Sequence, residues 1–310
     1  MNRSPGDPSG PSACPACEGT GHTLVGTKGS LVLWRCQACT LVFTHPQPTM
    51  QVERKYLEEY DLAAHFAAVA ARKRVLFSRR LKLLDEQRRR GGFRLCDVGC
   101  AGGQFLELAR DDGWEAFGIE LNPPAAKRAR ETGAVVFEGA LEQLDSLPWG
   151  TFDVVTCWDV LEHTPSPRLF AEKLSRLLAP EGVLVVTTLN WNALVRRALR
   201  MRWSMIVEDH FTYWTDHALR LLMERQDMQC IASESFGLGR DLARPLDRLA
   251  PSIRSTRRHG NSVSTVPRAG EVWDTHPVVL GIETAANIVL RAIGAGVGLL
   301  ATFRAPRYAN

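Results

Sequence analysis

The chain has 310 residues, 45% of them hydrophobic and 23% charged, and 38 Lys and Arg against 34 Asp and Glu leave a formal net charge of +4. That length accommodates one large domain with additions, and the composition is that of an ordinary globular protein rather than a disordered or collagen-like one. So small a basic surplus does not by itself call for a nucleic acid partner.

In chain order, Met1–Ser12 is rich in Pro, Gly and Ser and has no apolar signal core. Residues 1–12 are therefore expected to form a disordered tail, and the protein to be cytoplasmic. Thiols stay reduced in that compartment, so the eight cysteines need an explanation other than disulfides. Cys14-x-x-Cys17 and Cys36-x-x-Cys39, with 18 residues between the pairs, have the spacing of a four-cysteine zinc ribbon, expected over residues 13–48. Each pair hooks two thiolates onto one metal, and the stretch Gly19–Gly29 is expected to let the two knuckles converge. Four thiolates close a tetrahedral site, which makes the zinc structural and leaves His22 and His45 as spectators. Cys96, Cys100, Cys157 and Cys230 fall in or beside predicted strands and read as small core residues.

Residues 49–92 read as a helical connection with Leu57, Leu62, Phe66, Val69, Val75, Leu76, Leu81 and Leu84 as its apolar positions. Its many basic residues, Arg79, Arg80 and Lys82 among them, read as a solvated face, because no aromatics interleave with them as in nucleic-acid platforms.

Leu95-Cys96-Asp97-Val98-Gly99-Cys100-Ala101-Gly102-Gly103-Gln104-Phe105 is an apolar strand ending in an acid, a glycine-rich turn, and the start of a helix. A second strand, Ala116–Ile119, ends in Glu120. In an open α/β sheet the ligand lies beyond the carboxyl ends of the strands, and a carboxylate at the end of the second strand can grip two ribose hydroxyls. Glycines there let a bulky ligand approach the backbone. The pattern implies a nucleoside site, but the glycine spacing is not the G-x-G-x-x-G of dinucleotide folds. Asn122-Pro123-Pro124-Ala125 reads as a helix cap with proline in the first turn. Phe152–Trp158 and Val183–Thr188 read as buried strands, the latter introduced by Leu178-Ala179-Pro180-Glu181-Gly182. Strands alternating with helices predict a doubly wound parallel sheet.

Asp97-x-Gly99-x-Ala101-Gly102-Gly103 resembles D-x-G-x-G-x-G, the first motif of the class I S-adenosylmethionine (SAM) methyltransferases, with Ala101 replacing the middle glycine. Asp159-Val160-Leu161-Glu162-His163 and Leu178–Gly182 extend that resemblance across residues 93–190. The resemblance implies a seven-stranded Rossmann-like α/β core over 93–238, with SAM held by Asp97, Gly99, Ala101, Gly103, Glu120, Leu121, Ala140, Leu141 and Asp159. Glu120 would take the ribose, and Glu138–Leu141 would flank the adenine, with Ala140 where an Asp often stands.

SAM brings its own leaving group, so the protein must orient the methyl acceptor and, where needed, remove its proton. His163 follows the fourth strand and His210 the fifth, and an imidazole is suited to that work near neutral pH. Asp209 or Glu208 could orient His210 or hold an acceptor hydroxyl. The cysteine ribbon together with Val160–His163 and Asp209-His210-Phe211-Thr212-Tyr213-Trp214 resembles the zinc-ribbon sugar C-methyltransferases. That resemblance implies a deprotonating role for His163 and His210, with Asp209 standing in for a Glu.

Met228–Ser235 and Val297–Phe303 are expected to be the antiparallel pair that closes the fold, with a surface excursion at 239–276 and a C-terminal helix and closing strand at 277–310. Pro277–Leu300 is apolar but contains Glu283, Arg291 and four glycines, and reads as a packing helix rather than a membrane span. Peripheral membrane contact through Arg196, Arg197, Arg200 and Arg202 is a lesser reading. The leading function is SAM-dependent methyl transfer to a small-molecule acceptor, a sugar, sugar nucleotide, polyketide or lipid-like compound, at carbon or oxygen. The alternatives are an RNA methyltransferase that grips its substrate with the ribbon, and a non-catalytic SAM-binding protein.

Overall fold

A computed structural model describes residues 10–47, 56–57, 74–144, 149–237 and 288–307. Residues 1–9 of the expected tail, over half of the helical connection, the 239–276 excursion and residues 277–287 of the expected C-terminal helix lie outside them. Eleven strands are described: β1 (His22–Lys28), β2 (Leu31–Cys36), β3 (Val42–Thr44), β4 (Arg94–Val98), β5 (Glu115–Glu120), β6 (Val135–Glu138), β7 (Phe152–Trp158), β8 (Leu178–Leu189), β9 (Thr212–Tyr213), β10 (Gln229–Phe236) and β11 (Gly298–Arg304).

Seven of them form one sheet in the order β10-β11-β8-β7-β4-β5-β6. Strands β4 to β8 are parallel, and β11 runs antiparallel to both β8 and β10. The central strands read as near-continuous apolar runs because both faces are covered: Leu95, Cys96 and Val98 on β4, Val154, Val155 and Cys157 on β7, and Val183 to Val186 on β8 are all buried. The chain first builds outward through β5 and β6, then returns to place β7 on the other side of β4. The crevice between the ends of β4 and β7 is therefore the topological switch point, where open α/β sheets bind ligands.

Helices fix the turns around that crevice. Gln104–Asp111 buries Phe105, Leu106, Leu108 and Ala109. Pro123–Glu131 is capped by Asn122, whose Oδ1 accepts from the Ala125 amide at 3.1 Å, with proline in its first turn as expected. Its buried face is only Ala125, Ala126 and Ala129, so the Gly103 turn comes close enough that a Cβ there would lie 2.8 Å from Ala129 Cα.

A second sheet, β1-β2-β3-β9, joins the cysteine module to a distant part of the chain. β3 pairs with β9 through Val42↔Tyr213 and Phe43↔Thr212. The Thr44 amide donates to Phe211 O at 2.9 Å, and the Thr40 and Thr215 hydroxyls meet at 2.7 Å. Lys28 Nζ donates to Trp203 O and Ile206 O, each at 2.8 Å. Leu31, Leu33 and Val42 share one apolar cluster with Trp191, Trp203, Ile206 and Tyr213. The ribbon is thus built into the segment between β8 and the helix Asp216–Glu224.

The structure refines three local expectations. Gly19–Gly29, expected to let the knuckles converge, does so mostly as strand β1; the register shift between Leu24 and Gly26 absorbs the glycine, and a Cβ at Gly26 would press on Met201. Over residues 74–84, Val75 is exposed while Phe77, Arg80, Leu81 and Leu84 are buried. β8 begins at Leu178, because Glu181, at φ +59°, lets the strand pass through Pro180-Glu181-Gly182 and still pair with Phe152. The closing pair lies within a residue of its expected place, at Gln229–Phe236 and Gly298–Arg304. Among the described residues no helix is long and apolar enough to cross a membrane.

Candidate functional site

The carboxyl ends of β4, β5 and β7 bring Asp97, Glu120 and Asp159 to one edge of the sheet. Glu120 is 2% exposed, and its carboxylate is pinned from several sides. Oε2 accepts from the Ala101 amide at 2.8 Å, while Oε1 accepts from the Asn122 amide at 2.8 Å and the Tyr56 hydroxyl at 3.0 Å. Burial pushes the Glu120 carboxyl up and these donors pull it back. Ala101 adopts φ +50°, beside glycines at +74° (Gly99) and +79° (Gly103), so the alanine keeps the left-handed backbone that aims its amide at Glu120. Gly99 has a further reason to lack a side chain: a Cβ would sit 2.4 Å from Val160 Cγ2.

Asp97 is buried and accepts from the Thr156 hydroxyl at 2.7 Å. Asp159, exposed and at φ +56°, accepts from the Thr187 hydroxyl at 2.7 Å. Facing this pair is a cation absent from the expected site, Arg80, 5% exposed with its guanidinium 4.5 Å from the Trp158 ring centroid. Burial lowers its pKa, and the charges of Asp159 and Asp97 oppose that. The hint in the sequence was its place among Phe77, Leu81 and Leu84, three or four residues apart on one helical face. The Gly139 amide donates to Glu120 O at 2.9 Å, which sets half-buried Leu121 and Ala140 and buried Leu141 beside the end of β5.

These groups fit SAM. A buried carboxylate suits a ribose diol, left-handed backbone leaves floor space for the nucleoside, and two acids beside a buried arginine match an ammonium and a carboxylate on one methionine.

The short turn Leu161–His163 after β7 opens the other side of the crevice. Glu162 is 2% exposed; one carboxylate oxygen accepts from the Thr188 hydroxyl at 2.8 Å, and its carbonyl accepts from the Phe211 amide at 2.8 Å. Burial, with the Asp159 charge, pushes this carboxyl up to about 8. His163 and His210 lie ring to ring with centroids 4.8 Å apart. His163 Nδ1 donates to Asp209 O at 2.7 Å and lies 3.9 Å from that residue's carboxylate, so Asp209 attends His163 rather than His210. His210 Nδ1 donates to Met205 O at 2.7 Å, and its ring also approaches Tyr213, at 6.2 Å. A carbonyl only accepts, so each neutral ring carries its proton on Nδ1 and offers a lone pair at Nε2. His163 is half-exposed; His210 is 6% exposed, and burial with neighbouring His163 pushes it down to about 4.

The four cysteines of the ribbon are buried together, with Cys14 and Cys39 sulfurs 3.6 Å apart and Cys17 and Cys36 sulfurs 3.5 Å apart. All four sulfurs lie within 4.8 Å of one another. Tetrahedral zinc thiolates at ~2.3 Å from the metal stand about 3.8 Å apart, so the set fits zinc. The hydrogen bond between Cys14 and Cys39 shares one proton, holding Cys14 down to about 5 and pushing Cys39 up. His22 and His45 stand outside the set, and His22 packs edge-on against Phe43.

The methyltransferase-domain family matches residues 68–233. A ubiquinone biosynthesis O-methyltransferase of Thiobacillus denitrificans is 38% identical over 120 residues, covering 37% of this chain and 52% of that protein. One of Methylococcus capsulatus is 36% identical over 118 residues, covering 36% and 49%. The chain thus spans about half the length of the curated relatives it matches. A SAM-dependent methyltransferase structure from Archaeoglobus fulgidus shows 20% identity and a TM-score of 0.49, over 74% of this chain and 94% of that one. With more than half its length matched, the chain belongs to the methyltransferase-domain family, and it carries three acids at the switch point of its sheet and a cysteine module suited to structural zinc.

Proposed function

We propose that the protein methylates a hydroxyl group of a small-molecule acceptor, one acidic enough to yield its proton to an imidazole, such as a phenol or an enol. The observation that carries this reading is His163, half-exposed, with Nδ1 fixed by Asp209, four residues after Asp159 in the connection that follows β7. The match to relatives named as O-methyltransferases favours oxygen over carbon.

When bound, SAM supplies an electrophilic methyl group together with its leaving group. Glu120 takes the ribose diol, and the turn at Ala140 and Leu141 flanks the adenine. Asp97 and Asp159 would hold its ammonium and Arg80 its carboxylate. His163 then receives the hydroxyl proton at Nε2. The Asp209 carbonyl keeps that nitrogen presented, and its carboxylate stabilises the imidazolium. His210 is a poorer proton acceptor, since burial disfavours its charged form, and it packs against His163 as a wall.

A panel of phenols, enols, sugars and lipid-like hydroxyl compounds, read by S-adenosylhomocysteine release, tests this. Turnover of an acidic hydroxyl acceptor, slowed ~10²-fold or more in His163→Ala with unchanged SAM affinity, is the expected result. Turnover of carbon acceptors alone, or methylation of RNA with salt-sensitive affinity, would defeat the reading.

A further inference from the structure

The Glu120 carboxylate is crowded by donors from the protein itself. Oε1 accepts from the Asn122 amide and the Tyr56 hydroxyl, and Oε2 accepts from the Ala101 amide. We propose that Tyr56 is a second ribose-binding group: one hydroxyl of the diol donates to Glu120 and the other to the Tyr56 oxygen. The inference rests on the reading above that the ribose of SAM lies at Glu120.

The count of acceptor positions makes the case. An ionised carboxylate offers about four lone-pair positions, two on each oxygen. Three donors engage Glu120 at 2.8, 2.8 and 3.0 Å, and the Leu121 amide adds to their pull on its charge. At most one position remains, whereas a ribose diol brings two donors. The Ala101 amide belongs to the left-handed turn after β4 and the Asn122 amide to the cap of the helix Pro123–Glu131, so both stay where their elements put them. A hydroxyl differs from an amide, because the oxygen that donates one hydrogen bond can also accept. Donation to a carboxylate makes that oxygen a stronger acceptor. Tyr56 thus sets a second acceptor 3.0 Å from Oε1, within reach of neighbouring hydroxyls on one ribose.

Tyr56 is placed for this from two sides. Its carbonyl accepts from Asn122 Nδ2 at 2.8 Å while its hydroxyl reaches Glu120. Asn122 therefore makes three bonds that matter here: its amide to Glu120, its Nδ2 to Tyr56, and its Oδ1 from the Ala125 amide. One residue ties both halves of the clamp to the start of one helix. Packing of the tyrosine ring alone would require neither of the Tyr56 bonds. The two ribose hydroxyls then have unlike partners, one charged and one neutral, so the hydroxyl on Glu120 is the costlier to delete.

The test is calorimetry on the full, zinc-loaded chain with S-adenosylhomocysteine, 5′-methylthioadenosine, and the 2′-deoxy and 3′-deoxy forms of the latter. Tyr56→Phe should weaken the two ribose-bearing ligands about five- to tenfold, the worth of one neutral hydrogen bond. The deoxy form that lacks the hydroxyl held by Tyr56 should bind the parent and Tyr56→Phe alike, and the other deoxy form should show the full loss. Tyr56→Phe keeps the ring, so thermal melts of the ligand-free protein should stay close to the parent. Equal losses on all four ligands would mark Tyr56 as a structural prop and overturn the proposal. Unchanged affinity overturns it as well, and so does tighter binding, which would make the Tyr56 hydroxyl a competitor of the ribose. Glu120→Gln separates this proposal from the reading beneath it. If that substitution leaves every affinity unchanged, the ribose does not lie at Glu120, and both fall. A loss at Glu120 without the deoxy-selective loss at Tyr56 keeps the ribose there and removes Tyr56 from the clamp.

Discussion

Stripping the ribbon metal should loosen the acceptor side of the site while sparing the cofactor side. The hydrogen bonds by which the ribbon holds residues 203–215 include Thr44 N to Phe211 O, Thr40 to Thr215, and Lys28 to both Trp203 O and Ile206 O. At about 1 kcal/mol each these contribute roughly 4 kcal/mol, before the β3–β9 pairing and the packing of Leu33 and Val42 on Tyr213 are counted. Since 1.36 kcal/mol is a factor of ten, loss of the ribbon fold should speed amide exchange at residues 211–213 by about 10³-fold. The perturbation is chelation, paired with Cys36→Ser, and the assay is hydrogen–deuterium exchange resolved to peptides. Calorimetry alongside it should find SAM affinity within about twofold of the parent, because Asp97 and Glu120 are placed by β4 and β5 and their own turns. Unchanged exchange at 211–213, or an equal loss of SAM affinity, would refute the reasoning.

Glu120→Ala removes the diol acceptor and strands the Ala101 and Asn122 amides; SAM affinity by calorimetry should fall ~10²-fold, the value of two charge-assisted hydrogen bonds, with a melting temperature several degrees lower. Arg80→Met, close in length and apolar against Trp158, should weaken SAM about tenfold or more yet leave 5′-methylthioadenosine, which lacks the amino acid, nearly unaffected; equal losses would show that Arg80 serves packing alone. Gly99→Ala meets both φ +74° and the Val160 side chain and should cost about 2–4 kcal/mol by denaturant titration. Adding Val160→Ala should recover part of that loss, and no recovery would mean the backbone conformation carries all of it.

The sequence made the sheet legible because parallel strands buried on both faces leave unmistakable apolar runs, and because Asp97 and Glu120 close two of them. Cysteine spacing disclosed a metal module for a similar reason: four sulfurs on two short knuckles need no distant partner. What stayed hidden depends on contacts far apart in the chain. Thr212–Tyr213 is too short to announce a strand, and only its pairing with Val42 and Phe43 makes it one. Arg80 looked like one more solvated base in a basic run, since burial of a guanidinium over Trp158 follows from the docking of the helix over 74–81, not from local pattern. Asp209 stands next to His210 in sequence, yet the turn directs its carbonyl and carboxylate to His163. Adjacency in the chain suggested the wrong recipient.

The two halves of the crevice are held by different means, and this bears on how substrate choice can vary. The three acids proposed to take SAM are held chiefly by the large sheet and its turns: Asp97 by Thr156, Asp159 by Thr187, Glu120 by the amides of Ala101 and Asn122. On the acceptor side, Glu162 is anchored to β8 through Thr188, but its main chain, His163 and His210 all lean on residues 205–211. That segment in turn is fastened to β3 and Lys28 of the ribbon. Changes in the ribbon can therefore shift the acceptor groups without reaching the nucleoside end. A misplacement near 1 Å there is enough to cost ~10²-fold in rate. By this logic we propose that the cysteine module, suited to structural zinc, influences acceptor recognition from a distance.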